Sequence, residues 1–148
     1  MAHPSPDTAK TTILIVDDET RMRRVIADYL HIKGYETDEA GDGVEALERF
    51  EAGSPDLVLL DVMMPRMDGF EVCRHIRAKS AVPIIMLTAK AEEEDELQGF
   101  GLGVDEYISK PFSLKILAAR IEAVLRRRSA PGTTASPALP SGLSVDTA

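Results

Sequence analysis

From position 12 onward, short apolar runs alternate with longer stretches in which apolar residues recur every three or four positions. The runs are TILIV (12–16), YETDEA (35–40), LVLL (57–60), PIIML (83–87) and EYIS (106–109). Short apolar runs of this kind read as strands, and their near-continuous hydrophobicity is the mark of strands buried on both faces. Between them, Met22, Val25, Ile26, Tyr29 and Leu30 predict one helical stripe and Val44, Leu47 and Phe50 a second. Phe70, Cys73 and Ile76 predict a third. In the last helix Leu114, Leu117, Ile121, Val124 and Leu125 follow Ser113, a residue type that caps helix N-termini. Strand and helix in strict alternation predict an α/β fold: a five-stranded parallel sheet with helices on both faces.

A fourth helix is expected in AEEEDELQGFGLG (91–103), where five acids precede few core residues and glycines end the segment. It should be the most mobile element. After Arg128 the composition shifts to SAPGTTASPALPSG, which has no hydrophobic period and reads as a linker. The organisation expected is a flexible segment over 1–11, one domain over 12–128, and a linker with the start of a missing effector domain over 129–148.

Composition narrows the function classes. The chain has 148 residues, room for one core and tails. Its 25 acidic against 17 basic residues give a net charge of -8, which repels nucleic acid and anionic membrane. A single cysteine, Cys73, excludes an internal disulfide. The chain has neither an apolar leader nor an apolar run long enough to span a bilayer, and a cytoplasmic protein is expected.

In an open parallel sheet, ligands bind beyond the carboxyl ends of the strands, so the residues just after each apolar run decide the chemistry. The first strand ends in Asp17, Asp18 and Glu19, the third in Asp61, the fourth in Thr88 and Ala89, and the fifth in Lys110 and Pro111. Taken singly, an aspartate after a strand is usually a turn residue or a helix cap. Jointly, acids, a hydroxyl and an ammonium at successive strand ends predict one site. Close carboxylates raise one another's pKa and need positive charge, which Lys110 and a divalent cation can supply. Oxygen-only ligands suit a hard ion, Mg2+ or Mn2+. A carboxylate can attack phosphorus to form an acyl phosphate. Asp61, alone at the central strand end, is the expected nucleophile, with Asp17 and Asp18 as metal ligands and Thr88 a hydroxyl donor to the phosphoryl group. Removing one pocket charge, as in Asp18→Asn, should stabilise the metal-free protein.

The motifs ILIVDDE, PDLVLLDVMMPRMDGFEV, PIIMLTA and DEYISKPF resemble those of bacterial response regulator receiver domains over 12–128. That resemblance implies a flavodoxin-like strand order 2-1-3-4-5. It implies that Asp18 and Asp61 bind Mg2+ by side chain, Asp17 through water and Met63 by its backbone carbonyl. It also implies that Lys110 pairs with the phosphoryl group and that the Lys110 to Pro111 bond is cis. No separate cofactor is implied, and the chain is expected to be a switch rather than an enzyme. Thr88 and Tyr107 occupy the positions that couple phosphorylation to movement of the fourth helix, fifth strand and fifth helix. The partners implied are a sensor histidine kinase and a second copy of the chain. The C-terminal part of the match is similar to the OmpR/PhoB subfamily, whose linker leads to a winged-helix DNA-binding domain. This implies a truncated regulator that touches DNA only through the missing domain, and a dimer in which Asp105 and Glu106 meet Arg120.

Other classes share parts of the pattern. A haloacid dehalogenase phosphatase also uses an aspartyl phosphate, but carries its nucleophile on the first strand in a D-x-D pattern; here Asp17 and Asp18 are adjacent. A stand-alone receiver acting through protein contacts is a third class. An FMN carrier of the same topology needs a Ser/Thr/Gly-rich phosphate loop where this chain has acids. His31 and His75 are expected to be surface or partly buried histidines rather than ligands, and Cys73 a small core residue. Met63, Met64 and Met67 are expected to pack in their loop.

Overall fold

In the computed structural model, which describes residues 11–64, 66–89 and 101–129, strands and helices alternate along the chain. The order is β1 (Thr12–Val16), α1 (Thr20–Ile32), β2 (Glu36–Ala40), α2 (Gly43–Gly53), β3 (Leu57–Asp61), α3 (Gly69–Arg77), β4 (Ile84–Thr88), β5 (Glu106–Ser109) and α4 (Leu114–Ser129). The helix α4 is the one expected last. The helix expected over 91–103 lies, except for residues 101–103, outside the described residues.

All strand pairs are parallel, and their order is β2-β1-β3-β4-β5, the flavodoxin-like order that the resemblance implies. Side chains alternate across each strand. Leu14, Val16, Val58, Leu60, Ile84 and Met86 pack with Phe50 of α2 and Phe70, Val72, Cys73 and Ile76 of α3. Ile13, Ile15, Leu57, Leu59, Ile85 and Leu87 pack on the other side with Ile26 and Leu30 of α1 and Leu117, Ile121 and Val124 of α4. Each such side chain contributes about 1.5–3 kcal/mol on burial, so two full cores hold the sheet between helix layers. The strand ends that carry the polar residues therefore have little freedom.

Two helical stripes differ from expectation, for one reason. Val25 and Val44 are exposed, while Ala27, Gly43 and Ala46 are buried in their place. Small residues let a helix backbone approach its neighbours closely, and hydrophobic size alone does not reveal that. At Gly43 a Cβ would lie 2.6 Å from the Met67 Cβ and 2.7 Å from the Met67 carbonyl oxygen. The helix starts follow local chemistry: the Asp42 carboxylate accepts the Glu45 N–H, Asp68 that of Glu71, and the Ser113 hydroxyl oxygen that of Ile116. Cys73 is buried, and His31 and His75 are exposed. Met64 and Met67 pack against the core, but Met63 does not: it is 70% exposed.

Candidate functional site

The polar strand ends meet at one rim because the strands are parallel and in register. Asp61 closes β3 opposite Leu87, and Thr88 closes β4 opposite Ser109, one residue before Lys110. Backbone bonds extend the sheet past the strands: Asp17 N–H donates to the Ala40 carbonyl (3.1 Å) and Lys110 N–H to the Thr88 carbonyl. Among the described residues, the buried polar or charged ones are Asp17 (0% exposed), Asp61 (4%) and Thr88 (2%). All three stand at this rim. Burying polar groups costs free energy unless each is paired, so their concentration in one place marks a site.

Asp17 is held at both carboxylate oxygens, which accept from Glu19 N–H (2.9 Å) and from Lys110 Nζ (3.2 Å). Asp61 Oδ2 lies 3.5 Å from Lys110 Nζ, and Oδ1 accepts a long bond from Met63 N–H (3.4 Å). Asp18, beside Asp17, is exposed. Burial, and then the Asp17 charge, push the Asp61 pKa up to about 6, against the pull of Lys110 and the Met63 N–H; Asp18 raises it further. Burial works against the charge of Lys110, but Asp61 and Asp17 more than offset it, and its pKa is raised. The pocket thus carries more negative charge than one ammonium neutralises.

Carboxylate oxygens of Asp17, Asp18 and Asp61 all lie within 4.8 Å of one another. Three hard oxygen donors, a charge imbalance and an exposed Asp18 that opens the cluster to water fit a divalent cation of the Mg2+ or Mn2+ type. The Lys110–Pro111 peptide bond is cis. Tyr107 is half-buried, in register with Met86, and packs against the core on the α2 and α3 face. The residues expected at an interface have partners within the chain. Glu106 pairs with Arg120, whereas Asp105 accepts from Ile84 N–H (2.8 Å) and Arg77 Nη2 (3.2 Å).

Two features of the rim escaped the reading of strand ends. Arg23 of α1 donates from Nη1 to the Asp17 carbonyl (2.6 Å) and pairs through Nε with Glu39 of β2 (3.1 Å). The signal for it was an acid in a strand that packs under a helix, which calls for a base on that helix. Gly69 is the other: a Cβ there would lie 2.4 Å from the Asp61 carbonyl oxygen and 2.9 Å from Val62 Cα. Both are backbone atoms of the strand end and cannot yield cheaply. Gly69→Ala is expected to destabilise the fold by about 3 kcal/mol, read as a lower urea midpoint. An unchanged midpoint would mean that the loop after β3 re-forms without displacing Asp61.

Residues 13–122 match the model of the response regulator receiver domain. Over 122 residues the chain is 53% identical to the transcriptional regulatory protein ResD of Bacillus subtilis, covering 82% of this chain and 51% of ResD. It is 48% identical over 117 residues to the sensory transduction protein RegX3 of Mycolicibacterium smegmatis, covering 79% of this chain and 51% of that protein. The chain thus spans about half the length of these curated relatives. Among solved structures, a two-component response regulator from Clostridium difficile superposes with a TM-score of 0.79 at 31% identity, covering 82% of this chain and all of that one. With acids, hydroxyl and ammonium gathered at the carboxyl rim of a 2-1-3-4-5 sheet and a family match over most of its length, the chain belongs to the response regulator receiver domain family.

Proposed function

We propose that this chain is a phosphorylation-activated switch in which Asp61 accepts a phosphoryl group from a sensor histidine kinase. The observation that carries the reading is the convergence of the buried Asp17, Asp61 and Thr88 with Lys110 on one rim. An Asp61 carboxylate oxygen forms the new bond to phosphorus, and the bond from phosphorus to the donor's leaving group breaks. Lys110 neutralises charge on the transferred group, and Thr88 donates its hydroxyl to a phosphoryl oxygen once the group is attached. Asp17, Asp18, Asp61 and the Met63 carbonyl would hold Mg2+ or Mn2+, which supplies charge neutralisation to nucleophile and phosphoryl oxygens alike. The chain is a signalling protein with self-phosphorylation chemistry and no separate substrate to turn over.

As Thr88 closes on the phosphoryl group, Tyr107 moves inward, and the surface of β5 and α4 changes. A two-fold dimer forms there, with Glu106 and Arg120 exchanging their contact within the chain for one across the axis. It is weaker than in OmpR/PhoB relatives. Asp105 is already engaged by Arg77 and the β4 backbone. By position in that subfamily's pattern, Ile116 matches Glu96 where opposite charges are expected, and Gly101 matches Glu122 where an acid and a base are expected. Interface ion pairs fix register and exclude wrong partners, so losing them lowers specificity as well. The receiver runs from 12 to 128, and residues 129–148 lead toward a DNA-binding domain. Its place is the cytoplasm. Among the described residues no helix is long and apolar enough to cross a membrane.

Acetyl phosphate with Mg2+ should add one phosphoryl mass to the intact chain, and chelator should prevent it. Sedimentation of the beryllofluoride-treated chain should then show a dimer that Arg120→Glu abolishes. A tight dimer indifferent to Arg120 would place the interface on another surface.

A further inference from the structure

The Asp17 carbonyl, on the peptide that joins the two acids after β1, accepts from a guanidinium that is only 15% exposed. Arg23 reaches it from the first turn of α1 at 2.6 Å, and its Nε is fixed at 3.1 Å by Glu39 on the edge strand β2. The room for this is limited: a Cβ on Gly41 would lie 3.4 Å from Arg23 Nη1. With Asp17 N–H on Ala40 and both carboxylate oxygens partnered, the carbonyl bond completes the set of polar atoms on Asp17. Rotation of the Asp17 to Asp18 peptide would break it. That peptide sets where the exposed Asp18 carboxylate points relative to Asp61.

We propose that Arg23, oriented by Glu39, is a positioning residue for the divalent cation, holding the peptide between Asp17 and Asp18 so that both carboxylates face Asp61. The inference rests on the reading of this pocket as a cation and phosphoryl site. The guanidinium is suited to the role because its planar fork serves a carbonyl and a carboxylate at once, while an ammonium offers a point charge. Groups that orient metal ligands without touching the metal typically govern about 10–100-fold in affinity. Arg24 is the internal control. It also reaches Glu39, at 3.5 Å, but it is 69% exposed and its ion pair contributes little.

The test is calorimetric titration of Mg2+ into the wild type, Arg23→Met, Glu39→Gln and Arg24→Met, with the melting temperature of each recorded in chelator. Arg23→Met should weaken Mg2+ binding by about 10-fold or more, with a smaller loss in Glu39→Gln and less than about twofold in Arg24→Met. In chelator, where there is no cation to position, Glu39→Gln and Arg24→Met should melt alike. Wild-type affinity in a folded Arg23→Met overturns the proposal. If that variant does not fold, wild-type affinity in Glu39→Gln overturns it instead. An equal loss in Arg24→Met and Glu39→Gln also overturns it, because surface charge would then be the cause. No Mg2+ binding by the wild type would bring down the reading of the pocket itself.

Discussion

Asp61→Asn should leave the chain unlabelled by acetyl phosphate in the presence of Mg2+, while the wild type gains one phosphoryl group. Three carboxylates share the pocket, and their surroundings differ. Both Asp17 oxygens are engaged, by Glu19 N–H and Lys110. Asp18 is exposed at the edge. Among the described residues Asp61 keeps a long bond from Met63 and a 3.5 Å approach to Lys110, so an oxygen remains available to attack. Its pKa of about 6 makes it more basic than an ordinary carboxylate yet leaves it mostly ionised at pH 7. In nucleophilic attack the anion reacts, so labelling should fall as the pH drops below about 6. Bound Mg2+ favours the anion and should move that fall to lower pH. The amide of Asn is isosteric but not nucleophilic. Intact mass before and after hydroxylamine, which cleaves acyl phosphates, is the measurement. Labelling of Asp61→Asn equal to wild type would assign the nucleophile to another residue.

The same variant should be more stable than the wild type when metal is removed. A carboxyl whose folded pKa is raised binds its proton more tightly folded than unfolded. Its contribution to stability is therefore fully present below the ordinary value of 3.8 and is lost as pH rises through about 6. At pH 7 the ionised, buried Asp61 costs the metal-free fold on the order of 2–3 kcal/mol. Asp61→Asn removes that cost, and in chelator at pH 7 it should melt roughly 5–10 °C higher than wild type. The advantage should shrink as pH falls from 7 toward 4 and the wild-type carboxyl takes up its proton. Saturating Mg2+ should reverse the order, because binding stabilises only a pocket that keeps its ligands. Asp18→Asn, expected from sequence to give such a gain, should give a smaller one, since Asp18 is exposed and its charge is already solvated. A metal-free Asp61→Asn that melts below wild type at pH 7 would show that the ionised carboxylate is stabilised by its neighbours.

Much of this protein was legible in the order of its residues. Short continuous apolar runs such as LVLL, alternating with helical stripes, fit strands of a sheet covered on both faces, and the sheet rule then brings Asp17, Asp61, Thr88 and Lys110 to one rim. Local chemistry placed the start of the last helix, because Ser113 caps within three residues along the chain; Asp42 and Asp68 cap α2 and α3 in the same way in the structure. Strand order 2-1-3-4-5 came from the resemblance of motifs, and the pairing bears it out. Four matters were decided only in three dimensions. Asp61 rather than Asp18 carries the buried charge, because burial depends on what covers a strand end and not on the strand end itself. Asp105 turns to Arg77 and Glu106 to Arg120, since adjacent acids near a strand start point to opposite sides of the pleat. Gly43 and Ala46 replace Val44 in the core because α2 starts hard against Met67 and against Val72 of α3, and that closeness, invisible in a hydrophobic pattern, selects a small residue. Arg23 reaches the Asp17 carbonyl only because β2 lies beside β1 and sets Glu39 under α1, a neighbourhood that exists only once a non-local strand pair has formed.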